Sequence, residues 1–210
     1  VFGSAVEHSE SAGDVVVSPP PVLVPYTSNT LPLAESFSAA ALFVVDDKTG
    51  AVLYDKNGSG ERPIASITKL MSALVLLERP LDWTSVTSVV PYDGLSDTHM
   101  YAGDEFTLDA YWHAMLIGSS NKSVLTLARA SGWSEEAFVA RMNEKAMELG
   151  MEHTHFSDPS GLDDRNMSTA HDVAILLREA LRHDRIRETV SLTEYTLPAS
   201  GGRGAHHMWS

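Results

Sequence analysis

Pro63-Ile64-Ala65-Ser66-Ile67-Thr68-Lys69-Leu70-Met71 is the stretch from which the rest of the chain is read. A proline opens it, and Ile67, Leu70, Met71, Leu74, Val75 and Leu77 then recur at helical spacing from Ser66 to about Glu78. Pro80 ends the run. On a helix, positions i and i+3 share a face, so Lys69 can reach the Ser66 hydroxyl. A serine hydroxyl is a poor nucleophile at neutral pH and needs a nearby base. A lysine that gives up its proton in a dry site can be that base. The start of the helix also brings backbone N–H groups and positive dipole to Ser66, which favours developing oxyanion charge.

Spacing alone decides nothing. With 24 serines and 5 lysines, one Ser-x-x-Lys match is near chance, and a second exists at Ser119-Ser120-Asn121-Lys122. The plain reading of either is a helix-end serine beside a solvated lysine.

Upstream of this helix, Ala41–Val45 and Ala51–Tyr54 read as two strands. Asp46-Asp47-Lys48-Thr49-Gly50 supplies turn chemistry between them, so the pair is a β-hairpin. Residues 1–33 have the character of a linker or disordered N-terminal segment. Ser, Glu and Gly come first, followed by Ser18-Pro19-Pro20-Pro21, which favours extended polyproline II. One folded domain is expected over residues 34–210.

Downstream, a short strand is expected around Val86–Val90, and then helices dominate. Thr107 caps one that runs to Ile117 and is closed by Gly118. Another begins near Asn121. Ser134 caps a third, ended by Gly150, and Thr169 opens a fourth in a capping-box pattern. Residues 192–197 return to strand. The order suggests an α/β fold of the α+β type, a sheet with helices packed on it plus a helical lobe. Two or three visible strands are few for such a sheet, so further strands are expected beyond those seen.

Composition narrows the function. A net charge of -13 and a pI near 5.0 repel phosphate backbones and anionic lipid, so nucleic-acid binding is not expected. Absence of cysteine excludes disulfides, thiol catalysis and Cys-ligated metal. His153-Thr154-His155 hints at metal, but no third ligand stands at a recognisable spacing, and the pair reads as structural. No metal and no organic cofactor are called for. His206-His207 reads as packing or surface. No apolar run approaches a membrane span, so no membrane anchor is visible.

About fifty residues after Ser66 comes Leu116-Ile117-Gly118-Ser119-Ser120-Asn121, at a junction between two expected helices. Ser119 and Asn121 match the Ser-x-Asn element that accompanies Ser-x-x-Lys in penicillin-recognising serine enzymes. Further stretches follow in order: Asp47–Tyr54, Met142-Asn143-Glu144-Lys145-Ala146, Thr154-His155-Phe156, Asp158-Pro159-Ser160-Gly161-Leu162 and Ser168-Thr169-Ala170. On these motifs the chain, from about residue 36 to 210, resembles the serine D-alanyl-D-alanine carboxypeptidases, the low-molecular-weight penicillin-binding proteins.

The resemblance implies a β-lactamase/transpeptidase-like fold, with an antiparallel sheet flanked by helices, a helical subdomain and a site between them. It implies Ser66 as nucleophile, Lys69 as its base, a proton-relaying hydroxyl on Ser119 and a substrate-binding amide on Asn121. The implied partners are peptidoglycan stem peptides ending in D-Ala-D-Ala, with β-lactams as inhibitors, and the implied place is the cell envelope, outside the cytoplasm. Two departures stand out. The family often has Asp-Ala after Ser-x-Asn, whereas Lys122-Ser123 stands here. The family's Lys-Thr-Gly strand follows the other motifs, whereas the only such tripeptide here, Lys48-Thr49-Gly50, precedes them and reads as turn residues. The domain is therefore expected to lack its C-terminal strands and, with them, one oxyanion donor and the carboxylate clamp, leaving an impaired enzyme. A D,D-endopeptidase, a β-lactamase, and a non-catalytic peptidoglycan-binding or structural module derived from this family are the alternatives.

Overall fold

A computed structural model describes residues 37–91 and 100–210. The expected linker over residues 1–33 lies outside the described residues.

The hairpin forms as expected. Strand β1 (Leu42–Val45) pairs antiparallel with β2 (Val52–Lys56), with a register shift at Val44/Val45. The Asp46 carboxylate accepts the Thr49 backbone N–H at 2.7 Å and the Thr49 hydroxyl at 2.5 Å, and Gly50 takes a φ of 71° to close the turn. Lys48-Thr49-Gly50 is thus turn structure.

Strand β3 (Arg62–Pro63) leads into a 3-10 turn, Ala65–Ile67, and then helix α1 (Thr68–Leu77). Thr68, Lys69, Met71 and every residue from Ser72 to Leu76 are buried, so α1 is enclosed nearly all round. Strand β4 (Val86–Ser88) pairs with β5 (Glu105–Thr107). Helix α2 (Leu108–Leu116) starts at Thr107, whose hydroxyl accepts the Ala110 N–H at 3.1 Å. Helix α3 (Asn121–Ala130) is capped by Ser120 and α4 (Glu135–Glu148) by Ser134. Strand β6 (Met167–Ser168) pairs with β3. Helix α5 (Ala170–Arg182), capped by Thr169, runs almost directly into a short helix α6 (Asp184–Val190). Strands β7 (Glu194–Leu197) and β8 (His206–Trp209) form the last hairpin.

Helix α1 is the hub, with α2, α3, α4 and α5 packed around it. Met71, Leu74 and Leu76 meet a core that includes Met115, Leu127, Phe138, Met142 and Leu176. The far end of α1 is fixed to α4 by a two-pronged contact, Arg141 to both Glu78 oxygens at 2.7 and 2.8 Å. That guanidinium, helped by Lys145, holds the Glu78 carboxyl below the usual carboxylate range. The β1–β2 hairpin is tied to α5 by His171, whose Nε2 lies 2.7 Å from the Asp55 carboxylate. The described strands pair only in twos, and Val44, Val45 and Val52 remain exposed.

Helices α2 to α5 begin within a residue of their expected starts, whereas α1 begins at Thr68, two residues after the expected Ser66, which lies in the 3-10 turn. Helix α6 and strands β3, β5, β6 and β8 are additions to the elements expected from sequence.

Candidate active site

The residue before Ser66, Ala65, has a φ of 46°, in the left-handed region that a side chain disfavours. Such a residue costs about 1–3 kcal/mol and persists only where its surroundings impose it. Here the imposition comes from two sides. The Ile64 N–H is held by the Asn166 carbonyl at 3.0 Å, and Gly161 packs directly on the Ala65–Ser66 peptide. A Cβ on Gly161 would sit 1.9 Å from the Ala65 carbonyl oxygen, so only glycine allows this approach. The result is an exposed Ser66 at the head of a buried helix.

Lys69 lies one turn further on and is 2% exposed. Its Nζ is 2.9 Å from Ser66 Oγ, 2.8 Å from Asn121 Oδ1 and 2.7 Å from the Ser160 carbonyl oxygen. The amide and carbonyl oxygens can only accept. Of these three neighbours, Ser66 alone has a proton to give. An amine lone pair at Nζ therefore has a single productive direction, toward Ser66 Oγ. This is the geometry general-base activation of a hydroxyl requires.

The loop that supplies the Ser160 carbonyl is itself built tightly. Asp158 Oδ1 accepts the N–H groups of Ser160 and Gly161 at 2.6 and 2.9 Å, and Oδ2 accepts that of Asp163 at 2.8 Å. Asn166, fully buried, accepts the Ser157 N–H at 2.6 Å and donates to the Asp158 carbonyl at 3.0 Å. On α1, Ser72 donates to the Pro159 carbonyl at 2.6 Å. Ser72 and Lys69, three residues apart on one helical face, thus hold consecutive carbonyls of the same loop.

Of the four residues expected from sequence, Ser66, Lys69 and Asn121 meet. Ser119 lies in the turn between α2 and α3, exposed, with a φ of 53°. No hydrogen bond joins it to the other three among the described residues. Sequence reasoning gave no role to Asp158, Ser160, Gly161 or Asn166, although Asp-Pro-Ser-Gly is a recognisable turn. A cleft of about 760 Å³ adjoins the loop, lined by Leu125, Arg129, Trp133, Asp158, Ser160 and Leu162 among others. Ser66 and Lys69 are not among its walls. His153 Nδ1 lies 3.3 Å from Glu61, and no group of three metal-ligating side chains occurs among the described residues.

The family sequence model described as D-alanyl-D-alanine carboxypeptidase matches residues 27–200, which include every element of this site. The chain belongs to that family. A D-alanyl-D-alanine endopeptidase of Pseudomonas aeruginosa is 32% identical over 191 residues, which are 87% of this chain and 58% of that protein. The D-alanyl-D-alanine carboxypeptidase DacF of Bacillus subtilis is 33% identical over 165 residues, 75% of this chain and 42% of DacF. The chain thus spans less than two thirds of the length of these relatives. Among solved structures, penicillin-binding protein D2 of Listeria monocytogenes in its cefotaxime-bound form superposes with a TM-score of 0.72 at 29% identity, over 82% of this chain and 72% of that one. The fold is therefore that of the penicillin-binding proteins, as the motifs implied. Family relatives carry both carboxypeptidase and endopeptidase names.

Proposed function

We propose that residues 34–210 carry the acylation centre of a serine D-Ala-D-Ala carboxypeptidase that trims peptidoglycan stem peptides in the cell envelope. The observation that carries this reading is the position of Lys69 Nζ, buried and within 2.9 Å of an exposed serine hydroxyl, and bonded also to two acceptor-only oxygens, Asn121 Oδ1 and the Ser160 carbonyl. Ser66 attacks the carbonyl between the two terminal D-alanines while its proton passes to Lys69. The C–N bond then breaks, and the departing amine of D-alanine takes up a proton; the Ser119 hydroxyl is the group assigned to relay it. Water hydrolyses the Ser66 ester in the second half of the cycle. Asn121 binds the substrate backbone through its side-chain N–H, since its Oδ1 is engaged by Lys69. The Ser66 N–H is one oxyanion donor. Lys48-Thr49-Gly50, in the β1–β2 turn, takes no part, and the clamp for the substrate carboxylate is left unassigned. β-Lactams would acylate Ser66 as substrate mimics.

An endopeptidase reading is supported by relatives of that name, among them the Pseudomonas endopeptidase at 32% identity. The test is to incubate the full-length gene product with a stem pentapeptide ending in D-Ala-D-Ala and, separately, with a cross-linked muropeptide dimer. Release of D-alanine from the pentapeptide is expected. Cleavage of the dimer without D-alanine release would favour the endopeptidase, and neither reaction would favour the non-catalytic module.

A further inference from the structure

Lys122 directly follows Asn121, and its ammonium donates to the Met100 carbonyl oxygen at 2.7 Å and lies 5.9 Å from the Tyr101 ring centre. Met100 is fully buried against the same turn of α3, where its sulfur receives the Ser123 hydroxyl at 3.1 Å and the Ser120 hydroxyl at 3.7 Å. One turn along α3, Thr126 accepts the Val90 N–H at 3.2 Å and donates back to the Lys122 carbonyl at 2.7 Å. Val90 and Met100 are thus both fastened to α3. The fastening continues beyond Met100. Buried Asp104 accepts the Tyr101 N–H at 3.0 Å and pairs with Arg203 from the β7–β8 loop, whose guanidinium lies 4.2 Å from the Tyr101 ring centre. A continuous set of contacts therefore runs from the β7–β8 loop through Asp104, Tyr101 and Met100 to Lys122.

We propose that Lys122 is a positioning residue for acylation: by anchoring the Met100 carbonyl it fixes the first turn of α3 and so holds the Asn121 side chain against Lys69. The role rests on the assignment of Ser66, Lys69 and Asn121 as the acylation centre. A hydrogen bond from a charged donor is worth more than a neutral one, and a displacement of the catalytic constellation by about 1 Å can cost a hundredfold in rate.

The test compares Lys122→Met, Lys122→Arg and Lys122→Asp in the full-length gene product. Methionine keeps the chain length and removes the donor. Arginine keeps a donor for Met100, and aspartate removes the donor, is too short to reach the carbonyl, and adds a negative charge on the same side. Lys122→Met should lower the limiting rate of β-lactam acylation about tenfold with little change in the half-saturating concentration. Lys122→Arg should stay within about threefold of wild type, and Lys122→Asp should fall below Lys122→Met. Hydrogen exchange, read on the same proteins, needs no activity: the Tyr101 and Asp104 amides should exchange about tenfold faster in Lys122→Met but not in Lys122→Arg. Unchanged exchange in Lys122→Met overturns the anchor. Faster exchange with unchanged acylation overturns the positioning role, as would full activity in Lys122→Asp. A wild-type protein that does not acylate at all would refute the Ser66 assignment, while the exchange data would still decide whether Lys122 anchors Met100.

Discussion

Lys69→Arg is expected to lower β-lactam acylation of Ser66 by about a hundred- to ten-thousandfold, the range general-base catalysis contributes. Arginine keeps the charge but does not release a proton at working pH. It also cannot reproduce the geometry, because the three acceptors converge on one nitrogen at 2.7 to 2.9 Å and a planar guanidinium spreads its donors. The larger side chain overfills a site that is 2% exposed, at a cost of about 1–3 kcal/mol. That is a fraction of the 5–15 kcal/mol stability typical of a domain, so the variant should remain folded with a lowered melting temperature. Stopped-flow acylation and circular dichroism measure the two effects separately. Near-wild-type acylation in a folded Lys69→Arg protein would exclude Lys69 as the base.

Gly161→Ala should be nearly as damaging, for a reason that involves no chemistry at residue 161. Its φ of 86° alone makes a side chain unfavourable by about 1–2 kcal/mol. The new Cβ would also meet the Ala65 carbonyl oxygen and carbon at 1.9 and 2.4 Å. Both are backbone atoms, so the Ala65–Ser66 peptide or the 158–163 loop must move. Movement of either displaces Ser66 Oγ or the Ser160 carbonyl from Lys69, and a loss of about a hundredfold in acylation rate is expected. Gly150→Ala is the matched control. Gly150 has a φ of 76° but nothing within 4 Å of its added Cβ, so the variant should lose stability alone. Equal acylation by wild type and Gly161→Ala would show that this contact does not position the nucleophile.

The parts of this molecule that were legible in the sequence are those whose signals are local. Thr107, Ser134 and Thr169 announce helices because a short polar side chain satisfies an N–H three residues on, and each does so here. The Ser66–Lys69 contact was legible because three residues make nearly one helical turn. Helix α6 was not, since it follows α5 at once and has no side-chain cap. Strand β8 contains His206-His207, a pair without an obvious strand pattern, and its structure comes from pairing with β7. Ser160 escaped for a different reason. It contributes a backbone carbonyl from 91 residues away, and a carbonyl leaves no mark in sequence. Lys122 stands out in the sequence only as a departure from the family's Asp; folded, its ammonium is hydrogen-bonded to the Met100 carbonyl.

The central claim is that Ser66, and not the serine of the second Ser-x-x-Lys match, forms the acyl-enzyme. Labelling the full-length gene product with a fluorescent penicillin, followed by proteolysis and mass mapping, tests it most directly. Label is expected on the peptide containing Ser66, with none in a Ser66→Ala variant. Label on Ser119, or undiminished labelling of Ser66→Ala, would contradict it.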